Sequence, residues 1–86
     1  MKLEPILEEL EGAAQKLAVS VRYEPLSTSI GHGGLCKVKG EYRVIIDRRA
    51  TTAERVAALA RSLSQLDTSG VFLSPAARDT IERYRG

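Results

Sequence analysis

The sequence predicts an α+β domain: a three-stranded, mostly antiparallel sheet with helices packed on one face, in the order α-β-β-β-α-α. Three features carry that expectation. Apolar residues recur at helical spacing over residues 3–17, the apolar period drops to two between residues 19 and 47, and helix-start signatures follow at Thr51 and Ser74. With 86 residues there is room for a single domain, residues 1–86, and no second core.

The first element rests on Leu3, Ile6, Leu7, Leu10, Ala13, Ala14 and Leu17, which form one apolar stripe on a helix. Pro5 fits the first turn, where a missing N–H costs nothing, and glutamates near that end favour the helix dipole. Val19, Val21 and Tyr23 then alternate with Ser20, Arg22 and Glu24, a half-buried strand ending near Pro25. Residues 27–34, STSIGHGG, read as loop. Leu35 to Lys39 and Tyr42 to Asp47 read as two strands turning at Gly40.

The register of that hairpin follows from where apolar groups want to be. A two-residue turn at Lys39-Gly40 pairs Val38 with Glu41 and Cys36 with Arg43, mixing apolar and charged groups on one face. A three-residue turn, Lys39 to Glu41, pairs Val38 with Tyr42 and Cys36 with Val44. The second choice collects Cys36, Val38, Tyr42, Val44 and Ile46 on one inner face, and register follows the apolar pattern. The three-residue turn is therefore the expectation.

Thr51-Thr52-Ala53-Glu54 matches a capping box, and Val56, Leu59, Ala60, Leu63 and Leu66 form the stripe of the helix it starts. Thr68-Ser69-Gly70 punctuates its end. Val71-Phe72-Leu73 fits either a fourth strand or a packed connector. Ser74-Pro75 pairs an N-cap with a proline at the first helical position, opening a last helix with Ala77, Ile81 and Tyr84 inward.

Composition narrows the function classes. The one cysteine, Cys36, rules out a disulfide within the chain and suits a reducing, cytoplasmic setting. His32 and Cys36 are the only soft metal ligands, whereas closed zinc sites use about four, so neither a metal nor a cofactor is expected. No apolar run approaches the ~18 residues of a membrane span, and four glutamates among the first eleven residues do not fit a signal peptide. Net charge is +2 with a pI near 8.9. It is unevenly spread: residues 1–19 carry −2, residues 20–50 carry +3 and residues 51–86 carry +1.

That basic middle third supplies one candidate site. With the expected register, the outer sheet face shows Arg22, Lys37, Lys39 and Arg43 against Glu24 and Glu41, and Arg48 and Arg49 extend the positive charge toward the next helix. Such a face suits an anionic partner, nucleic acid included, but it is equally the solvated face of a sheet whose lysines discourage edge pairing. Lys37 and Arg43 would stand directly opposite, which costs a few tenths of a kcal/mol unless a carboxylate or an anionic partner relieves it. A Cys36–His32 pair is the candidate for a thiolate nucleophile, although an inward Cys36 would be inert. The glycines around His32 lack the lysine and the helix start of a phosphate loop. Glu8, Glu9 and Glu11 read as a solvated helix face.

The stretch from Val19 to Asp67, with its segment GEYRVIIDRRATTAERVAALARSLSQLD, resembles the core of the ImmA/IrrE-like minimal zinc peptidases. The resemblance implies a helix, a strand, a strand pair and then a helix bearing His-Glu-x-x-His. On this placement Arg61 and Gln65 fall where the two histidines belong and Ser62 where the glutamate belongs. None of the three is retained, so the resemblance implies architecture without metal or peptidase activity. His32, Arg61 and Gln65 are the residues to look for in one cleft, and a Cys36 sulfur open to solvent beside the His32 imidazole is what would reopen the case for catalysis. The expectation is a non-enzymatic module that binds a protein partner or a second copy of itself. Nucleic-acid binding through the basic face and a thiol or hydrolytic enzyme built on Cys36 and His32 stand as the alternatives.

Overall fold

The computed structural model describes residues 2–25 and 34–85. Helix α1, Glu4–Lys16, is followed by strands β1 (Ser20–Glu24), β2 (Gly34–Val38) and β3 (Glu41–Asp47), then helices α2 (Thr52–Leu63) and α3 (Pro75–Glu82). This is the α+β order the sequence implies. The loop expected over residues 27–34 lies outside the described residues except for Gly34, and His32 lies outside with it.

The sheet is mixed, with order β1-β3-β2. β3 is central, pairing antiparallel with β2 and parallel with β1. A central strand needs apolar side chains more than an edge strand does, and Val44-Ile45-Ile46 supplies them. The helices lie on one face: α1 against β1, and α2 across β2 and β3. Between them the core collects Leu10, Val44, Ile46, Leu59, Leu63 and Ile81, each at most 2% exposed.

Each helix is closed by local chemistry. At the end of α1 the Val19 N–H donates to the Ala14 carbonyl and the Ala18 N–H to the Gln15 carbonyl, with Ala18 at φ 60°. This left-handed residue turns the chain out of the helix into β1. The capping box of α2 is complete: the Glu54 N–H donates to the Thr51 hydroxyl (3.1 Å) and the Thr51 N–H to the Glu54 carboxylate (2.8 Å). α2 stops at Leu63, where the Ser64 hydroxyl donates to the Arg61 carbonyl (2.6 Å), a local bond that competes with further helix. Beyond it the Ser69 N–H donates to the Asp67 carboxylate (2.9 Å) and holds that carboxyl below its ordinary range.

Residues 71–73 form a connector and not a fourth strand. Val71 and Leu73 are buried, while Phe72 between them is 85% exposed. Ser74 caps α3 by accepting from the Ala77 N–H (3.2 Å), and its own hydroxyl donates to the Glu9 carboxylate (2.8 Å). Glu9 thus ties α1 to the start of α3. The expected solvated glutamate face is corrected accordingly: Glu9 holds Ser74 and Glu11 accepts from the Tyr23 hydroxyl. Tyr84 also departs from expectation. It lies past the end of α3, 39% exposed, with the Arg61 guanidinium 5.4 Å from its ring centre.

Candidate binding face of the sheet

The hairpin joining β2 to β3 decides which side chains share a face. It turns in two residues, Lys39 at φ 53° and Gly40 at φ 85°. Two successive positive φ values give a turn whose twist matches that of the flanking strands. The register that follows pairs Val38 with Glu41, Lys37 with Tyr42, Cys36 with Arg43 and Leu35 with Val44. The expected three-residue turn is therefore wrong, and Cys36 does not face the helices. Leu35 supplies the reason. In the observed register Leu35 lies beside Val44 under α2, whereas the three-residue turn would have aimed it at solvent. A leucine buries more apolar area than a cysteine, and the covered-face positions next to the turn, Lys37 and Tyr42, are themselves exposed, so an inward Val38 there would gain little.

The covered face carries Val21 and Tyr23 of β1, Tyr42, Val44 and Ile46 of β3, and Leu35 and Lys37 of β2. Tyr23 is held tightly there. Its hydroxyl donates to Glu11, and the Arg55 guanidinium lies 4.8 Å from its ring centre. Arg55 is itself fixed by donating to the Ala50 and Arg48 carbonyls at 3.1 and 3.0 Å. Burial, then the hydrogen bond and negative charge of Glu11, push the Tyr23 hydroxyl up to about 12, while Arg55 pulls the other way.

The outer face carries Ser20, Arg22 and Glu24, then Glu41, Arg43, Ile45 and Asp47, then Gly34, Cys36 and Val38. No described helix packs over it. Ile45 stands at its centre, half-buried by its strand neighbours, between Arg22 of β1 and Gly34 of β2. Cys36 is half-buried beside it, with its thiol donating to the Arg43 carbonyl (3.4 Å). Val38, 38% exposed, completes an apolar patch rimmed by charges of both signs. Arg22 pairs with Glu24 at 3.1 Å.

The structure disperses the basic set expected on this face. Arg22 and Arg43 are on it. Lys37 is on the other face, its ammonium 5.3 Å from the Tyr42 ring centre, so the expected Lys37–Arg43 repulsion does not arise. Lys39 sits in the hairpin turn. Arg48 and Arg49 lie at the opposite end of β3, in the turn that follows it, with the Arg49 N–H donating to the Asp47 carboxylate (3.0 Å). Arg22 and Arg43 share their face with Glu24, Glu41 and Asp47, so the outer face holds more carboxylates than guanidinium groups.

The expected cleft of His32, Arg61 and Gln65 reduces to two described residues. Arg61 lies against Tyr84, and Gln65 is exposed beyond the end of α2. Ser62 points into the core, its hydroxyl donating to the Ala58 carbonyl (2.8 Å). Among the described residues no group of three or more His, Cys, Asp or Glu is placed to hold a metal ion, and no helix is long and apolar enough to cross a membrane.

Sequence reasoning missed Ile45 and Val38 as surface residues. For Val38 the available signal was Gly40, because an X-Gly pair between two strands favours the two-residue turn, and for Ile45 it was the alternation that already sets Val44 and Ile46 inward. The chain matches no protein-family model, no curated protein and no solved structure.

Proposed function

We propose that the chain is a non-enzymatic protein-binding module that docks through the outer face of its sheet. One observation carries the reading: Cys36, Val38 and Ile45 lie together on a face over which no described helix packs, ringed by Arg22, Glu24, Glu41, Arg43 and Asp47. An apolar centre with a charged rim of both signs is the pattern of a protein interface. A nucleic-acid surface would need an excess of cations and aromatic groups for bases to stack on. Among its described residues this face has neither. The free thiol of Cys36 at its centre suits a reducing, cytoplasmic setting.

The test compares the protein with its Ile45→Glu variant, which places a charge at the centre of the patch without touching the covered core. Partners captured from the host by the parent protein are purified and titrated against both forms. The reading expects a partner whose affinity falls by about a hundredfold in Ile45→Glu, or a dimer in sedimentation that the same variant dissociates. Equal partner binding by both forms, with a monomer throughout, contradicts it. So does salt-sensitive binding to an oligonucleotide that Arg43→Glu abolishes.

A further inference from the structure

The two edges of the sheet are built differently. At the β2 edge Lys37 is exposed, and exposed Lys39 follows in the turn, charges of the kind that keep an edge from pairing with foreign strands. Along β1, from Ser20 to Glu24, there is neither a lysine nor a proline, and its two charges, Arg22 and Glu24, are paired with each other on the outer face. The Arg48 N–H donates to the Glu24 carbonyl at 3.0 Å, so Glu24 turns its backbone toward β3. Backbone direction alternates along a strand. Arg22 and Ser20 therefore face β3 as well, and the N–H and C=O groups of Val21 and Tyr23 point out of the sheet. The Val19 N–H is already taken by Ala14, so among the described residues the unpaired edge begins at Val21.

Val21 and Tyr23 also line an open groove of about 520 Å³, together with Ser20 of β1, Glu11 and Gln15 of α1, and Glu41 at the start of β3. Its charged lining residues are Glu11 and Glu41, and no lysine or arginine lines it.

We propose that this groove receives an extended peptide segment bearing lysine or arginine side chains, which adds along β1 as a further strand. The outward N–H and C=O groups of Val21 and Tyr23 supply main-chain hydrogen bonds that any extended segment can use. Glu11 and Glu41 supply the selectivity, since an acidic segment would meet like charge at both. The Gln15 amide offers a donor and an acceptor between them. This site shares Ser20 and Glu41 with the rim of the outer face but not its apolar centre, so a change at Ile45 distinguishes the two.

The full chain, isotope-labelled on nitrogen, is titrated with a synthetic peptide of alternating valine and lysine. Two control peptides accompany it, one with glutamate in place of lysine and one with alternate backbone nitrogens methylated. The proposal expects the lysine peptide to shift the amide signals of Val21 and Tyr23, and neither control to do so. Glu41→Lys, at an exposed position, is expected to weaken the lysine peptide by about tenfold, while Ile45→Glu leaves it unchanged. The proposal is overturned by any of three results: no shift at the β1 amides, a methylated peptide that binds as well as its parent, or shifts confined to Cys36, Val38 and Ile45. Concentration-dependent shifts at Val21 and Tyr23 without peptide would assign the edge to a second copy of the chain and overturn it too.

Discussion

Ile45 and Ile46 are neighbours on one strand and meet opposite surroundings. Ile46 lies under the helices at 2% exposure, while Ile45 stands half-buried on a face that no described helix covers. The same contrast runs across the sheet, with Val44 buried and Arg43 beside Cys36 on the far side. A shift of one residue in the hairpin would exchange the faces of every β2 side chain. β2, an edge strand, is positioned by its one large apolar inward residue, Leu35, and by its turn. Its count of apolar side chains does not decide.

The largest expected effect separates the two isoleucines. Ile46→Ala should cost about 3 kcal/mol, as truncation of a fully buried side chain does. Ile45→Ala should cost about 1 kcal/mol or less, because its side chain is only half removed from water. Urea unfolding of both variants checks this, and equal costs would break the comparison.

Next comes the pH dependence of the covered face. The Tyr23 hydroxyl titrates near 10 when unfolded and is pushed up to about 12 when folded. A raised value means that the neutral phenol is favoured by folding. Its contribution to stability is complete below about pH 10 and is lost as pH rises from there toward about 12. Tyr23→Phe should flatten that part of the stability curve. Unfolding midpoints of the two proteins across this window measure the difference, and identical profiles would contradict the placement of Tyr23 against Glu11.

The turn itself gives a smaller effect. Lys39 holds a positive φ that asparagine adopts more readily. Lys39→Asn should therefore stabilise the protein by about 0.5 kcal/mol. A destabilisation would favour a different turn.

The last prediction is a rate. Cys36, on the outer face, should react with a thiol reagent under native conditions, at a rate unchanged by sub-denaturing urea. A thiol that reacts only in step with unfolding would return it to the core.

Much of the fold was legible in the sequence because its signals are local. The Thr51–Glu54 box, the Ser74-Pro75 start and the apolar stripe of α1 each lie within a few residues of what they determine. The register was less legible. Leu35 outweighs Cys36 and Val38 only once α2 is known to lie above β2, and a lysine at φ 53° announces no turn type. The parallel pairing of β1 with β3 brings together strands separated in sequence by β2. Glu9 finds Ser74 across 65 positions, which no periodicity reports. The candidate site depends on that register, so Lys37 lies on the face opposite the one the apolar pattern implies, while Arg22 and Arg43 lie on the implied one.

Cross-strand nuclear Overhauser contacts within the hairpin test the two-residue register most directly. Contacts linking Lys37 with Tyr42 and Leu35 with Val44 are expected. Contacts linking Val38 with Tyr42 and Cys36 with Val44 would contradict it, returning the thiol to the covered face and removing the apolar patch on which the proposed docking surface rests.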